Sequence, residues 1–189
     1  MRIDHLAYRV ADRWKSAKFF IDALGYHVQE EFEIDFGEGQ KAMCIALEPP
    51  EKKPGTTVAW TYSGINYNMV EPDGLVREVL QNYHMPAEIF VSDGTPGSVV
   101  GDWVAARGGV GGIHHIAYQV ESVEKTMKEW QEKGYAEFTS DEPMKCPGLT
   151  QVFTKPSSLT GIIIEFIERG EHGFCKENVR ALMESTKGD

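Results

Sequence analysis

The chain has 189 residues, of which 41% are hydrophobic, 25% charged and 11% aromatic; these are values of one ordinary globular domain and exclude a disordered or fibrous chain. Nineteen Lys and Arg stand against 29 Asp and Glu, for a formal net charge of -10. No basic run is dense enough to follow a phosphate backbone, which argues against nucleic acid as a partner. No stretch approaches the roughly 18 apolar residues of a membrane span, and the N-terminal residues enter an alternating pattern directly, so a cytoplasmic protein with no membrane partner is expected. Cys44, Cys146 and Cys175 are widely spaced without a CxxC, the pattern of reduced bystanders and not of a disulfide frame or thiolate site.

The alternation of IDHLAYRV (Ile3 to Val10) predicts a strand. Asp12 then caps a helix whose apolar face is Ala17, Phe20, Ile21 and Leu24 and which Gly25 ends. Strand-like runs follow at 26–34, 40–48 and 57–71. Residues 49–55 and 92–98 read as loops, and 74–83 and 99–106 as short helices. IHHIAYQV (Ile113 to Val120) then repeats the first strand at an offset of 110 positions. Ser122 repeats the cap, Met127 and Trp130 repeat Ala17 and Phe20, and Gly134-Tyr135 repeats Gly25-Tyr26. Strands are expected at 135–139, 149–155 and 161–168, a loop at 141–148, and a last helix at 174–186.

The chain therefore reads as an α+β fold of two paired βαβββ modules. Module one covers 1–72, a connecting segment 73–111, module two 112–169, and a C-terminal helical segment 170–189, all in one domain. A curled sheet with a helix on one face leaves its other face to line a cup. Alternation puts Leu6, Tyr8 and Val10 on the helix side and His5, Ala7 and Arg9 on the cup side, with Asp4 facing away. In the second module His115, Ala117 and Gln119 face in and His114 out; a one-residue slip in register would make His114 the inward histidine instead. His27, His84 and His172 read as surface or loop residues.

In the last strand, GIIIEFI, Glu165 is the lone charge in an apolar run, costly to bury without a cation or hydrogen bonds. Aligning NMVE (Asn68 to Glu71) with EFIE (Glu165 to Glu168) makes Asn68 its counterpart in module one, a much poorer ligand than a carboxylate. His5, His115 and Glu165 then form a two-histidine, one-carboxylate face that leaves about three coordination positions open, the pattern of non-haem Fe(II) oxygenases.

These histidine strands resemble those of the vicinal oxygen chelate superfamily (glyoxalases, bleomycin resistance proteins and dioxygenases), whose members pair such modules around a metal. More narrowly, GVGGIHHIA (Gly109 to Ala117), LTQVFTKP (Leu149 to Pro156), IIEFIER (Ile163 to Arg169) and GFCKENVRALM (Gly173 to Met183) are similar to the catalytic C-terminal half of 4-hydroxyphenylpyruvate dioxygenase. The resemblance implies Fe(II) on His5, His115 and Glu165, with Zn, Ni, Co or Mn as other metals the site could take. It implies Gln151 as a catalytic residue that orients substrate, Phe153 facing substrate, and Phe174 in a C-terminal segment that closes the pocket. It further implies a 2-oxo acid and dioxygen as small-molecule partners, oxidative decarboxylation coupled to hydroxylation as the reaction, and a homodimer as the candidate assembly.

The chain departs from that family where Val179 replaces an aromatic expected on the substrate ring and where Ile163 and Val70 replace other pocket residues; these apolar replacements speak against a hydroxyphenyl substrate. Two other readings follow from the same fold. A glyoxalase- or epimerase-like enzyme would need Asn68 as a fourth ligand, and a binding or drug-sequestering protein would need no metal.

Overall fold

The computed structural model describes residues 2–50, 61–62, 65–66, 87–169 and 174–188. Asn68, Val70, His84, His172 and the helix expected at 74–83 lie outside them. Its elements are β1 (Arg2–Arg9), α1 (Arg13–Leu24), β2 (His27–Gly37), β3 (Gln40–Glu48), β4 (Thr61–Tyr62), β5 (Ile65–Asn66), β6 (Glu88–Gly94), α2 (Val99–Ala106), β7 (Gly112–Gln119), α3 (Val123–Glu132), β8 (Met144–Cys146), β9 (Leu149–Phe153), β10 (Ile163–Arg169) and α4 (Lys176–Ser185).

Eight strands form one curled sheet in the order β2-β3-β6-β1-β7-β10-β9-β8. The first four belong to one repeat and the last four to the other, and the repeats meet where β1 runs antiparallel to β7. Each repeat places its first and last strands side by side in parallel, β1 with β6 and β7 with β10. The α+β fold of two paired modules is thus observed.

Several expectations for individual segments need correction. The strand beside β1 is Glu88–Gly94, part of which reads as loop because it ends in Ser-Asp-Gly; within 57–71 the described strands are only the two-residue β4 and β5. The run 135–139 contributes one bridge, Phe138 to Thr154, and the loop at 141–148 contains β8. Cys146 and Cys175 are not free bystanders: they are disulfide-linked, with Cα atoms 6.7 Å apart, while Cys44 is free and buried.

The helices pack as their periodicity requires. Asp12 accepts from Lys15 N–H at 2.9 Å to start α1, and Gly25, at φ 76°, ends it in a left-handed conformation that a side chain would strain. Ala17, Phe20 and Ile21 cover Leu6, Tyr8, Ile45, Leu47 and Val91, leaving Leu24 at the helix end exposed. Fully burying a side chain such as Ile45 or Leu47 contributes roughly 1.5–3 kcal/mol. In the second repeat Ser122 caps α3, and Val123, Met127 and Trp130 cover Tyr118, Val152 and Phe166. The opposite face of the sheet is the cup, and Val179, Leu182 and Met183 of α4 close it.

Candidate metal centre

His5, His115 and Glu165 come from β1, β7 and β10, three adjacent strands near the middle of the sheet. Ala7 pairs with His115 across the junction, and Ala117 pairs with Glu165. All three side chains are buried, at 1%, 8% and 1% exposure. The two Nε2 atoms are 3.2 Å apart, and Glu165 Oε2 lies 3.2 Å from His5 Nε2 and 3.1 Å from His115 Nε2.

Those three atoms form a nearly equilateral triangle. A metal bound at about 2.1 Å has ligand-to-ligand edges of about 3.0 Å on an octahedral face and about 3.4 Å in a tetrahedron. The triangle therefore fits one face of a six-coordinate ion and is close to a tetrahedral one. Two imidazoles and one carboxylate are also the donor set that divalent iron, zinc, nickel, cobalt and manganese accept. Among the described residues these three form the one group able to hold a metal.

Electrostatics agree. Burial pushes His5 down, but the carboxylates of Glu165 and Asp4 outweigh it and raise the imidazole to about 9. Burial raises Glu165, and the neighbouring His5 and His115 more than reverse this, to about 2. His115 is lowered, chiefly by burial. Without a metal, a proton on His5 thus supplies the positive charge that Glu165 requires.

Hydrogen bonds around the triangle orient it. Asp4 Oδ1 accepts from His5 Nδ1 at 2.8 Å, leaving Nε2 for a ligand role. Arg169 grips Asp4 with Nε at 2.7 Å and Nη2 at 2.6 Å, and Nη2 also reaches Glu88 at 3.1 Å. Burial raises Asp4, but the bonds from His5 and Arg169 reverse this and hold its carboxyl well below the usual range. Gln151 Nε2 donates to Glu165 Oε1 at 2.6 Å, and Asn178 of α4 donates to Gln151 Oε1 at 3.3 Å. Gln151 is therefore tied to the carboxylate as well as lining the cup.

Asp4 and His114 are placed where simple alternation does not put them. The β1–β7 register shifts between Ile3 and Leu6 and again between Ala7 and Tyr8, where Ala7 pairs with His115 and Tyr8 with Ile113. Bulges of this kind re-aim side chains. The first turns Asp4 onto its neighbour His5. The second, at His114, brings that ring to the cup wall, with Nδ1 at 2.9 Å from His115 Nδ1. His114 therefore does not face away; it joins His115 in the cup instead of replacing it.

The remaining residues divide by position. Phe153 lies 4.6 Å from the His115 ring and Phe174 5.3 Å from the His5 ring, and both line the cavity with Val179. Ile163 packs behind them against Phe153 and Leu182. The cavity itself measures about 30 Å³, so the closed α4 leaves space for an ion or a water and little more. Sequence reasoning missed Arg169, Asn178 and Phe90. The repeat could have found Phe90: Ala7 is the counterpart of Ala117, and it pairs with Phe90 as Ala117 pairs with Glu165. Phe90 holds the module-one position that Glu165 holds in module two, which the alignment gives to Asn68, so among the described residues no fourth ligand stands at that corner.

The sequence matches the model of the Glyoxalase/Bleomycin resistance protein/Dioxygenase superfamily over residues 2–166. No curated protein matches it. A methylmalonyl-CoA epimerase structure is similar at 22% identity with a TM-score of 0.60, over 90% of this chain and 97% of that one. A mutant 4-hydroxymandelate synthase from Streptomyces coelicolor is similar at 16% identity with a TM-score of 0.68, over 98% of this chain but 53% of that one. A hypothetical protein from Bacillus halodurans C-125 matches at 22% identity and a TM-score of 0.59, over 92% of this chain and 98% of that one. At these identities the structures testify to a shared fold, and the matched model extends through both repeats and all three residues of the triangle. The chain belongs to the Glyoxalase/Bleomycin resistance protein/Dioxygenase superfamily.

Proposed function

We propose that the protein is a non-haem Fe(II)-dependent dioxygenase that oxidatively decarboxylates and hydroxylates a 2-oxo acid. The observation that carries this reading is the three-cornered site: His5, His115 and Glu165 occupy one face, and Phe90 stands where a second carboxylate would complete a four-ligand site. Iron bound there supplies open positions for the 2-oxo acid and dioxygen and the redox chemistry of the reaction.

The residues of the chain do the rest. Asp4 fixes the His5 ring with Nε2 inward, and Gln151 holds one oxygen of Glu165 so that the other faces the two imidazoles. Phe90, Phe153, Phe174 and Val179 give the cup apolar walls that exclude water around the reacting atoms. A hydroxylation within a dry cup needs that exclusion.

The test is oxygen uptake by anaerobically purified, Fe(II)-reconstituted protein across a panel of 2-oxo acids. Uptake matched by carbon dioxide release supports the reading; stoichiometric iron with no uptake from any acid overturns it. The second reading, a metal-dependent epimerase, is favoured by the epimerase-type structures that match nine-tenths of the chain. It predicts proton exchange next to a carbonyl without oxygen, supported by Ni(II), Co(II) or Zn(II), and Phe90 weighs against it.

A further inference from the structure

His114 occupies the extra position of the β7 bulge, and its buried ring forms part of the cup wall beside the metal triangle. It stands edge-on to Trp103 of α2, with ring centroids 5.6 Å apart, and 6.1 Å from the Phe153 ring. Nothing in the proposed reaction yet uses it.

Its hydrogen position follows from its neighbour. His114 Nδ1 and His115 Nδ1 are 2.9 Å apart, and only one of two facing imidazole nitrogens can carry the proton between them. When His115 offers Nε2 to a metal, its remaining proton is on Nδ1, so His115 donates and His114 accepts. The proton of His114 is then on Nε2. That atom is buried and has no hydrogen-bond partner among the described residues, an arrangement that is costly unless a ligand supplies an acceptor.

The same wall carries a positive charge. Arg9 faces the cup from β1, is 2% exposed, and bonds Thr186 at 2.9 Å just beyond α4. Ser92 pairs with it across β6 and lines the same cavity. Arg9 is four residues along the strand from His5, or about 13 Å of extended chain. His114 beside the triangle and Arg9 further along the strand thus put a donor and a cation on one wall of the cup, with apolar rings and aliphatic side chains around them.

We propose that His114 is a specificity-determining donor, whose Nε2–H bonds an oxygen on the substrate's tail, so that the substrate is a 2-oxo acid with a second oxygen function. A carboxylate is the form that Arg9 favours. This inference rests on the proposed function for the chelating end of the molecule and adds the chemistry of the other end.

The experiment measures binding, not turnover. Fe(II)-loaded protein without oxygen is titrated with matched pairs, 2-oxoglutarate against 2-oxopentanoate and 4-hydroxyphenylpyruvate against phenylpyruvate, following the visible absorption of the iron–2-oxo acid chelate. The wild type is expected to bind the oxygen-bearing member of at least one pair about tenfold more tightly. With each variant saturated with Fe(II), His114→Phe and His114→Leu should bring that ratio close to one, the ratio being taken within each protein so that any general weakening of the chelate cancels, and His114→Gln should restore part of it. Preference for the diacid identifies a carboxylate, and preference for the hydroxyphenyl acid a hydroxyl. Equal binding within both pairs by the wild type, or a ratio retained in the apolar variants, overturns the inference. Weaker iron binding by the apolar variants is expected, because His114 accepts from His115 Nδ1–H, and is met by raising Fe(II); where saturation is not reached, a wild-type ratio in His114→Gln overturns the inference. Absence of a chelate with every acid overturns the functional reading itself, a result distinct from the others.

Discussion

Arg169 holds Asp4 by two hydrogen bonds, of 2.6 and 2.7 Å, and its guanidinium also lies 4.6 Å from the centre of the Phe174 ring. One cation thus orients the carboxylate behind His5 and supports the aromatic that covers the same histidine. Planar guanidinium geometry serves both contacts, and a lysine ammonium cannot reproduce the paired bonds.

Asp4→Asn and Arg169→Lys should therefore weaken metal binding about 10- to 100-fold, the range for partners of metal-bound histidines, with the triangle of ligands itself intact. Competition with a chromogenic chelator measures this directly. Affinities within a factor of two of wild type for both variants would show that Asp4 does not orient His5.

Phe90 permits the complementary experiment. It is 5% exposed, its ring centre lies 6.2 Å from that of His5, and it holds the position that Glu165 holds in the other repeat. Phe90→Glu should create a four-ligand site, raising Zn(II) and Co(II) affinity by about tenfold or more, and abolish oxygen uptake by filling an open position. Without metal, two buried carboxylates repel, so its Tm should fall below that of wild type and recover on metal addition. A variant with unchanged metal affinity and oxygen uptake would mean that Phe90 does not face the metal corner.

The duplicated strand and the alternation along it were enough to place His5, His115 and Glu165 together, because a period of two is preserved wherever one sheet face is buried. The network around them was not legible. Asp4 and His114 reach their partners through bulges, which add a residue to a strand and leave no mark in a hydropathy pattern. The strand Glu88–Gly94 is recognisable only by its partners β1 and β3, since Ser92, Asp93 and Gly94 carry turn propensity that the sheet overrides. With that strand hidden by its turn-prone residues, the sequence pattern offers Asn68 as the counterpart of Glu165, and the pairing of β6 with β1 gives the position to Phe90.

The metal-free protein should be most stable near pH 6.5, the ordinary value of a histidine. His5 is raised to about 9 in the folded state, so its contribution is fully present below 6.5 and is lost as pH rises through about 9. His114 and His115 are lowered, chiefly by burial, so the folded state binds fewer protons there and loses stability as pH falls below 6.5. Glu165, lowered to about 2 from 4.5, adds a further loss when pH falls through that lower range. Bound metal replaces the proton on His5, so the decline above neutrality should vanish in loaded protein. Melting curves with and without chelator read both effects, each expected to be a few degrees. A metal-free Tm that climbs from pH 7 to 9 would contradict the assignment of His5.

The disulfide ties the closing segment to the sheet. Cys146 ends β8 and Cys175 directly precedes α4, while Asn178 in the first turn of that helix bonds the Met144 and Leu149 carbonyls. Together they seat Phe174 and Val179 over the triangle. The bridge closes a separation of 29 residues, and its reduction should cost about 2–4 kcal/mol of stability. The larger local effect should be at the lid, because a cavity of about 30 Å³ admits substrate only when α4 moves. Reduced protein, or the Cys146→Ser and Cys175→Ser variants, should therefore lose metal to a chelator several-fold faster, and amides in 176–185 should exchange with solvent more readily. Identical extraction rates and identical exchange in the oxidised and reduced forms would mean that the hydrogen bonds of Asn178 and the packing of α4 hold the cup closed by themselves.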